Sequence, residues 1–174
     1  MKKSLILVLL AAAALLLPAG ATAGGWSPLQ LALWHPAQLV GEDTAIYGLR
    51  ANLFYGKNKT VWGLDLGIAN TTSGRVGGIQ AGLINGPGAL GGIGVGAVNS
   101  ARRVDGLQAG ILSVAEDTVN GGQVSAVYNK GRSVRGVQIG LFNSAKKLKG
   151  LQIGLFNAVE DSPVPFLPIL HPGF

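Results

Sequence analysis

An eight-residue motif recurs along this chain at a nearly constant interval, and that interval limits the folds open to the chain. The two most similar copies are residues 136–143 (GVQIGLFN) and residues 150–157 (GLQIGLFN), which start 14 residues apart. Six earlier copies occupy residues 48–55, 63–70, 78–85, 92–99, 106–113 and 121–128, again at intervals of 14 or 15 residues. A period this regular is typical of proteins built from stacked structural repeats.

Two less regular copies flank these eight. Residues 30–37 follow the motif with His35 at the position of its Asn, and residues 166–171 follow it with Pro168 at the position of its second Gly. The sequence therefore predicts about ten units, of which the first and the last are atypical. Atypical end units are expected in a stacked array, because an unpaired terminal strand can recruit other chains.

Aliphatic residues alternate with Gly and Gln inside the motif. Val137, Ile139 and Leu141 would lie on one side of an extended strand, and Gln138 and Phe142 on the other. This period of two predicts an all-β fold, in which we expect the aliphatic side to be buried. Three buried aliphatic side chains contribute about 5–8 kcal/mol, whereas ordering one unit costs on the order of 20 kcal/mol. Each unit must therefore be stabilised by its neighbours.

A β-solenoid is the arrangement that we favour for the units. Parallel coils would stack about 4.8 Å apart, and identical residues of successive coils would form ladders. The spacers between the motifs, such as residues 86–88 (GPG), have turn-like compositions that fit a second solenoid strand less well. The predicted ladders comprise Gln80, Gln108, Gln123, Gln138 and Gln152, together with Asn70, Asn85, Asn99, Asn143 and Asn157.

The alternative is an up-and-down antiparallel β-barrel of the outer-membrane type, with one strand per unit. Ten tilted residues would span about 25 Å, the height of the apolar band of such barrels. Charges confined to the spacers also suit a barrel. The sparse aromatic residues and Pro168 in the last strand count against closure of the barrel.

Charged residues lie mainly in the spacers, with two exceptions in the motifs. Arg50 and Asp65 occupy the Gln position in consecutive units. Stacking would bring the two side chains together, so we predict a structural ion pair that replaces two rungs of the Gln ladder.

The N-terminus has the features of an export signal. Lys2 and Lys3 precede an apolar run at residues 5–17, and Ala21 and Ala23 fit a small-x-small cleavage site. The predicted organisation is a signal peptide at 1–23, an N-terminal capping unit and insertion at 24–47, an eight-unit array at 48–157, and a Pro-rich C-terminal capping unit at 158–174. The predicted location is the cell surface, the outer membrane or the medium.

Residues that carry chemistry are scarce. The absence of cysteine excludes disulfides, thiolate metal sites and cysteine nucleophiles. His35 and His171 lie in the two end units, where we predict capping roles. The formal charge of +6 is too small to indicate nucleic-acid binding. We therefore expect no catalytic residues, no cofactor and no metal, and we do not expect an enzyme.

The motif Gly-x-Gln-x-Gly-Leu-x-Asn at this spacing resembles the bacterial surface-repeat proteins, over about residues 26–174. That resemblance implies a surface location and no particular activity. The run from Gln138 to Ala145 is also similar to the core of curlin repeats, which are longer, so fibre formation is not implied.

The expected function is that of an exported, non-enzymatic repeat protein of the cell surface or envelope, with a structural or binding role. The sequence does not identify a partner, and envelope or matrix components are the candidates. The alternative function is that of an outer-membrane barrel acting as a channel or scaffold, which would make the membrane itself a partner.

Overall fold

The computed structural model describes residues 25–173, so the predicted export signal lies outside the described residues. This part of the chain is all-β and forms one sheet with the strand order β2-β1-β3-β4-β5-β6-β7. The strands are β1 (Gly25–Trp34), β2 (Ala37–Gln38), β3 (Thr44–Asn58), β4 (Thr60–Ala81), β5 (Ile84–Ile139), β6 (Phe142–Val159) and β7 (Phe166–Gly173). No helix in this range has the length and apolar content needed to cross a lipid bilayer.

Consecutive units pair in parallel, with their motif positions in register. Gly48 lies beside Gly63, and Gln138 lies beside Gln152. Parallel pairing with a shift of one unit is the geometry of a β-solenoid, so the solenoid prediction is confirmed and the antiparallel barrel is wrong. The spacers pair as well, as Thr72 does with Pro87. They continue the coil instead of reversing the chain, which is why strand β5 runs for 56 residues.

Each motif begins at a corner of the coil that only glycine fits well. Gly136 has a φ of 139°, and all eight motif-initial glycines have positive φ. A Cβ on Gly136 would also overlap the carbonyl oxygen of Gly121 in the preceding coil. Because L-residues rarely adopt this conformation, both the backbone angle and the close approach of neighbouring coils require glycine at this corner.

The side of the strand that faces the interior is the reverse of the one expected. Val137, Ile139 and Leu141 expose 37%, 40% and 43% of their surface, whereas Gln138 is completely buried. Phe142, which was expected beside Gln138, is outside as well. The strand is interrupted between Ile139 and Phe142, and the inward–outward alternation resumes one residue out of step.

The apolar interior comes from the spacers that looked like turns. The residue two positions before each motif-initial glycine is aliphatic and buried in every unit. These residues are Ile46, Val61, Val76, Leu90, Val104, Val119, Val134 and Leu148. Small residues such as Ala101, Ala115 and Ala145 pack beside them. Burial of this column supplies hydrophobic stabilisation along the whole array.

The two ends of the array differ. Strand β1 pairs in parallel with β3 and places Gln30 beside Arg50, so the irregular N-terminal copy joins the stack. His35 does not take the Asn position; its Nε2 lies 3.6 Å from Glu42 Oε2 in the cap.

The C-terminal copy closes the stack without adding a parallel coil. Strand β7 runs antiparallel to β6 and places His171 opposite Gln152, so residues 166–171 form a cap and not a tenth equivalent coil. The reversal follows a segment that contains Pro163 and Pro165, whose fixed φ and missing N–H donors disfavour another coil.

Candidate functional site

The Gln side chains of successive coils stack inside the solenoid. Gln123 Nε2 donates to Gln108 Oε1 at 2.8 Å, Gln138 Nε2 to Gln123 Oε1 at 2.7 Å, and Gln152 Nε2 to Gln138 Oε1 at 2.7 Å. Gln80 lies in the same column but is separated from Gln108 by Gly94, which has no side chain to continue the ladder. Within the run from Gln108 to Gln152, each later Gln therefore donates its amide to the Gln of the coil before it.

The Asn ladder runs in the opposite direction. Asn70 Nδ2 donates to Asn85 Oδ1 at 3.1 Å, and Asn85 Nδ2 to Asn99 Oδ1 at 2.9 Å. Asn143 Nδ2 likewise donates to Asn157 Oδ1 at 2.8 Å. The same amides donate to backbone carbonyls, as Asn85 Nδ2 does to Val95 O at 2.8 Å. These backbone contacts fix the orientation of each amide.

Two members of the Asn ladder were missed because neither stands at the eighth position of its motif copy. Asn129 follows the motif copy 121–128, yet its Nδ2 donates to Asn143 Oδ1 at 2.8 Å. Asn52 enters from an earlier backbone position and donates to Asn70 Oδ1 at 3.0 Å. A Cβ on Gly56 would overlap the Asn52 side chain. The signal for Asn129 was its spacing of 14 residues from Asn143.

Each run of stacked amides has, at one of its two ends, a buried side-chain oxygen without a hydrogen-bond partner among residues 25–173. Gln80 Oε1 and Gln152 Oε1 end the two Gln runs, and Asn52 Oδ1 and Asn129 Oδ1 begin the two Asn runs. Gly94 interrupts the first ladder. Ser113 occupies the Asn position of its coil and interrupts the second. A Gln run leaves the oxygen of its last Gln unpaired, because each Gln donates to the coil before it. An Asn run leaves the oxygen of its first Asn unpaired, because each Asn donates to the coil after it.

The charged pair lies in the Gln column between Gln30 and Gln80. Arg50 Nε and Nη2 donate to the two carboxylate oxygens of Asp65 at 2.7 and 2.6 Å, and both side chains are fully buried. Asp65 Oδ2 also accepts from Gln80 Nε2 at 2.8 Å. The guanidinium further donates to Thr71 O at 2.9 Å and to Thr72 Oγ1 at 3.2 Å. The pair thus replaces two rungs. Asp65 accepts from both sides, from Gln80 in the donor direction of the Gln ladder and from Arg50 in the opposite direction.

The interior offers little for chemistry with a ligand. Its polar groups are buried and bonded mainly to one another. Within residues 25–173, no three His, Asp or Glu side chains come together in a way that could hold a metal ion. A site for an external partner must therefore lie on the outside of the coils.

The outside carries an uncharged wall along one side of the solenoid, which we name the apolar face. It consists of motif positions two, four and six in the eight motif copies, and all of these residues are exposed or half-buried. Position two contributes Leu49, Leu64, Ile79, Ile93, Leu107, Gly122, Val137 and Leu151. Position four contributes Ala51, Leu66, Ala81, Val95, Ala109, Val124, Ile139 and Ile153. Position six contributes Leu53, Ile68, Leu83, Ala97, Ile111, Ala126, Leu141 and Leu155.

The apolar face is hollowed near its C-terminal end. An open depression of about 550 Å³ lies between positions four and six of three neighbouring coils. Gly140 and Gly154 contribute to its lining between the two columns, and Ile169 of β7 lines it as well. Its walls are Val124, Ala126, Ile139, Leu141, Ile153 and Leu155. With these residues, the depression can take apolar groups but offers few polar side chains that would select among them.

One edge of the face is formed by the residues that precede the motif-initial glycines, which we name the border column. Tyr47 and Trp62 occupy its N-terminal end, and Arg135 and Lys149 its C-terminal end. Trp62 lies across Gly77, where a Cβ would overlap the indole ring. Most other charges lie in the spacers, such as the exposed Arg102, Arg103, Lys146 and Lys147.

An exposed charged cluster holds the N-terminal insertion. Lys57 Nζ lies 2.8 Å from Glu42 Oε2. The hydrogen bond and the charge of Lys57 lower the pKa of the Glu42 carboxyl, and Glu42 raises the pKa of the Lys57 amine. The pair joins the insertion to strand β3 and lies apart from the apolar face.

Comparisons with known proteins give no relative from which a role could be transferred. No family model matches the chain, and no curated protein or solved structure matches it either. The functional assignment therefore depends on the geometry of the apolar face and on the sequence.

Proposed function

We propose that this chain is an exported, non-enzymatic repeat protein of the cell surface or envelope, and that its structural or binding role is carried by the apolar face. The observation that carries this proposal is the absence of charge at three motif positions in eight successive units of that face. Soluble monomers seldom expose contiguous apolar patches of more than a few hundred Å², and larger ones mark contact surfaces.

The internal ladders support a structural role for the rest of the molecule. The Gln and Asn columns and the buried aliphatic column hold every coil against the next. An array of this kind keeps the outer side chains in fixed rows, so the apolar face is a rigid surface. Rigid surfaces bind with less loss of conformational entropy than flexible ones. The partner class that fits is an apolar surface of an envelope or matrix component.

Export is tested by expressing the full chain in a bacterial host and fractionating the cells. We expect the product outside the cytoplasm, with mass spectrometry showing that residues 1–23 have been removed. Recovery of the full-length chain from the cytoplasm would contradict the export part of the proposal.

The binding role is tested by retention on a phenyl matrix, loaded at nanomolar protein so that the face is free. Wild type should be retained, and Ile139→Glu should elute earlier, because a carboxylate at an exposed position of the face opposes contact with an apolar surface. Lys146→Glu changes a residue in the spacer of the same coil and is the matched control, which should elute with wild type. Equal retention of all three proteins would contradict a role for the face.

A further inference from the structure

We infer that the partner of the apolar face is a second copy of this chain, and that the two copies pack face to face with their solenoid axes antiparallel. This inference rests on the proposed function, because it names the occupant of the same face. It follows from the size of the face, the order of large and small residues along it, and the chemistry of the border column.

The size of the face matches what a stable protein interface needs. Eight coils about 4.8 Å apart and four residue steps of about 3.3 Å from position two to position six, with side-chain rims, give a surface of roughly 40 by 20 Å. That is about 800 Å² per copy, the contribution of each partner to an interface of standard size. Two uncharged sheets of this kind can stack about 10 Å apart, as in β-sandwiches.

The order of side-chain sizes selects the antiparallel arrangement. A two-fold axis between the coils of Gly92 and Gly106 would place each motif position opposite the same position of the partner, with the coil order reversed. At position four, Ala51 would then face Ile153, and Ala81 would face Val124. At positions two and six, Gly122 would face Ile79, and Ala97 would face Ile111. In every opposing pair that contains Gly or Ala, the partner residue is Val, Leu or Ile.

A parallel arrangement would pack less well. A two-fold axis along the solenoid places position four of each coil opposite its own copy, so Ala51, Ala81 and Ala109 would each face another Ala. Gly122 at position two would face Ala126 at position six. These four small–small contacts leave voids, whereas Ile153 would face Ile153 and force the sheets apart. Interdigitated large and small residues reach the packing density of protein interiors.

The border column agrees with the same orientation. In the antiparallel dimer the border column of one copy lies along that of the other, in reverse order. The half-exposed rings of Tyr47 and Trp62 then meet the cationic side chains of Lys149 and Arg135, respectively. Cations over aromatic rings are favourable contacts. The parallel arrangement would place this column against the opposite edge of the face.

Sedimentation velocity of the full-length, purified chain tests whether the face self-associates. We expect a dimer at 10 µM and above in buffer without lipid or detergent. Val95→Glu places carboxylates of both copies near the two-fold axis, and we expect at least a 100-fold increase in the dimer dissociation constant. Arg102→Glu changes a charge in the spacer of the same coil and is the matched control, which should remain dimeric. Circular dichroism should show that both variants fold, because Val95 is 46% exposed.

Distances between spin labels test the orientation. The chain has no cysteine, so Arg102→Cys and Lys146→Cys each give one labelled site per copy, away from the face. Lys146 lies three coils further from the proposed axis than Arg102. The antiparallel dimer therefore adds an axial separation of about 30 Å to the Lys146 pair, so its distance should be clearly longer. A parallel dimer predicts no such axial difference.

Three results would overturn the inference: a monomer at 200 µM, a Val95→Glu variant that dimerises like wild type, or equal distances at the two labelled sites. A monomer that is still retained on the phenyl matrix would overturn only the dimer and leave the proposed function in place. Binding of that monomer to phosphatidylcholine vesicles would assign the face to lipid instead.

Discussion

Arg50 and Asp65 form two parallel hydrogen bonds inside the solenoid, at the position where later coils carry Gln. Both side chains are fully buried, so each charge depends on the other. Removal of one partner from such a pair typically costs about 3–5 kcal/mol, because the remaining charge is left in a medium of low dielectric constant. Replacing both partners by neutral groups that fit the site costs much less.

Asp65→Asn should therefore lower the free energy of unfolding by about 3–5 kcal/mol. The double variant Arg50→Gln/Asp65→Gln restores two uncharged rungs, and it should be at least about 2 kcal/mol more stable than Asp65→Asn. Urea unfolding followed by circular dichroism measures both differences. A double variant as unstable as Asp65→Asn would show that the column does not accept Gln in these coils.

The gap in the Gln ladder at Gly94 predicts a coupled pair of substitutions. Gln80 Oε1 is buried without a partner among the described residues, and a side-chain amide at position 94 would lie next to it in the column. A Cβ at position 94 would come within 3.0 Å of Leu90 Cδ2, so Leu90 occupies the space that Gln would need.

We expect Gly94→Gln alone to be overpacked and to lose about 1–3 kcal/mol. Leu90→Val alone should leave a small cavity and cost about 1 kcal/mol. Together they should be more stable than wild type by about 1 kcal/mol, because the amide satisfies Gln80 Oε1. A double-mutant cycle from thermal or urea unfolding gives the coupling free energy. Simple additivity of the two single effects would contradict this account.

Gly136 and Gly122 allow a comparison of two glycines in neighbouring coils. Gly136→Ala should cost about 2–3 kcal/mol or more, because its φ is positive and its Cβ would overlap Gly121 O. Gly122→Ala has only Leu107 Cδ1 at 3.1 Å and Val137 O at 3.7 Å near its Cβ, so it should change stability by less than about 1 kcal/mol. Midpoints of urea unfolding distinguish the two, and equal losses would rule out the corner as the cause.

The Glu42–Lys57 pair predicts a pH dependence of stability. The pKa of Glu42 is lowered in the folded chain by its hydrogen bond to Lys57. Its contribution is therefore fully present above the ordinary carboxyl value of 4.5 and is lost as the pH falls through the lowered pKa. The raised pKa of Lys57 gives the opposite limit, with stability lost as the pH rises through that value.

Lys57→Gln should thus be less stable than wild type at pH 7, and the difference should disappear at low pH. Lys59→Gln, two residues away, is the control and should show no such trend. Unfolding at a series of pH values measures both variants. A difference that stays constant from pH 7 to pH 2 would contradict the ion pair as its source.

The sequence predicted the repeat, the extended conformation and the stacking of units, because all three follow from local patterns. The interval between motif copies indicated the repeat and the stacking, and the alternation within 136–143 indicated the extended conformation. The same alternation could not say which side is buried, since a period of two divides the residues into two sets without orienting them. The usual rule that aliphatic residues lie inside led to the wrong side at Val137 and Ile139.

The repeat period and the β conformation were thus determined by the sequence alone, as was the position of the Arg50–Asp65 pair in one column. Only the tertiary structure decided that Gln138 lies inside and Ile139 outside. A buried amide needs hydrogen-bond partners, and for Gln123 and Gln138 the neighbouring coils supply matching amides at 2.7–2.8 Å. That contact exists between units about 14 residues apart and not within any one of them, so no local pattern can reveal it.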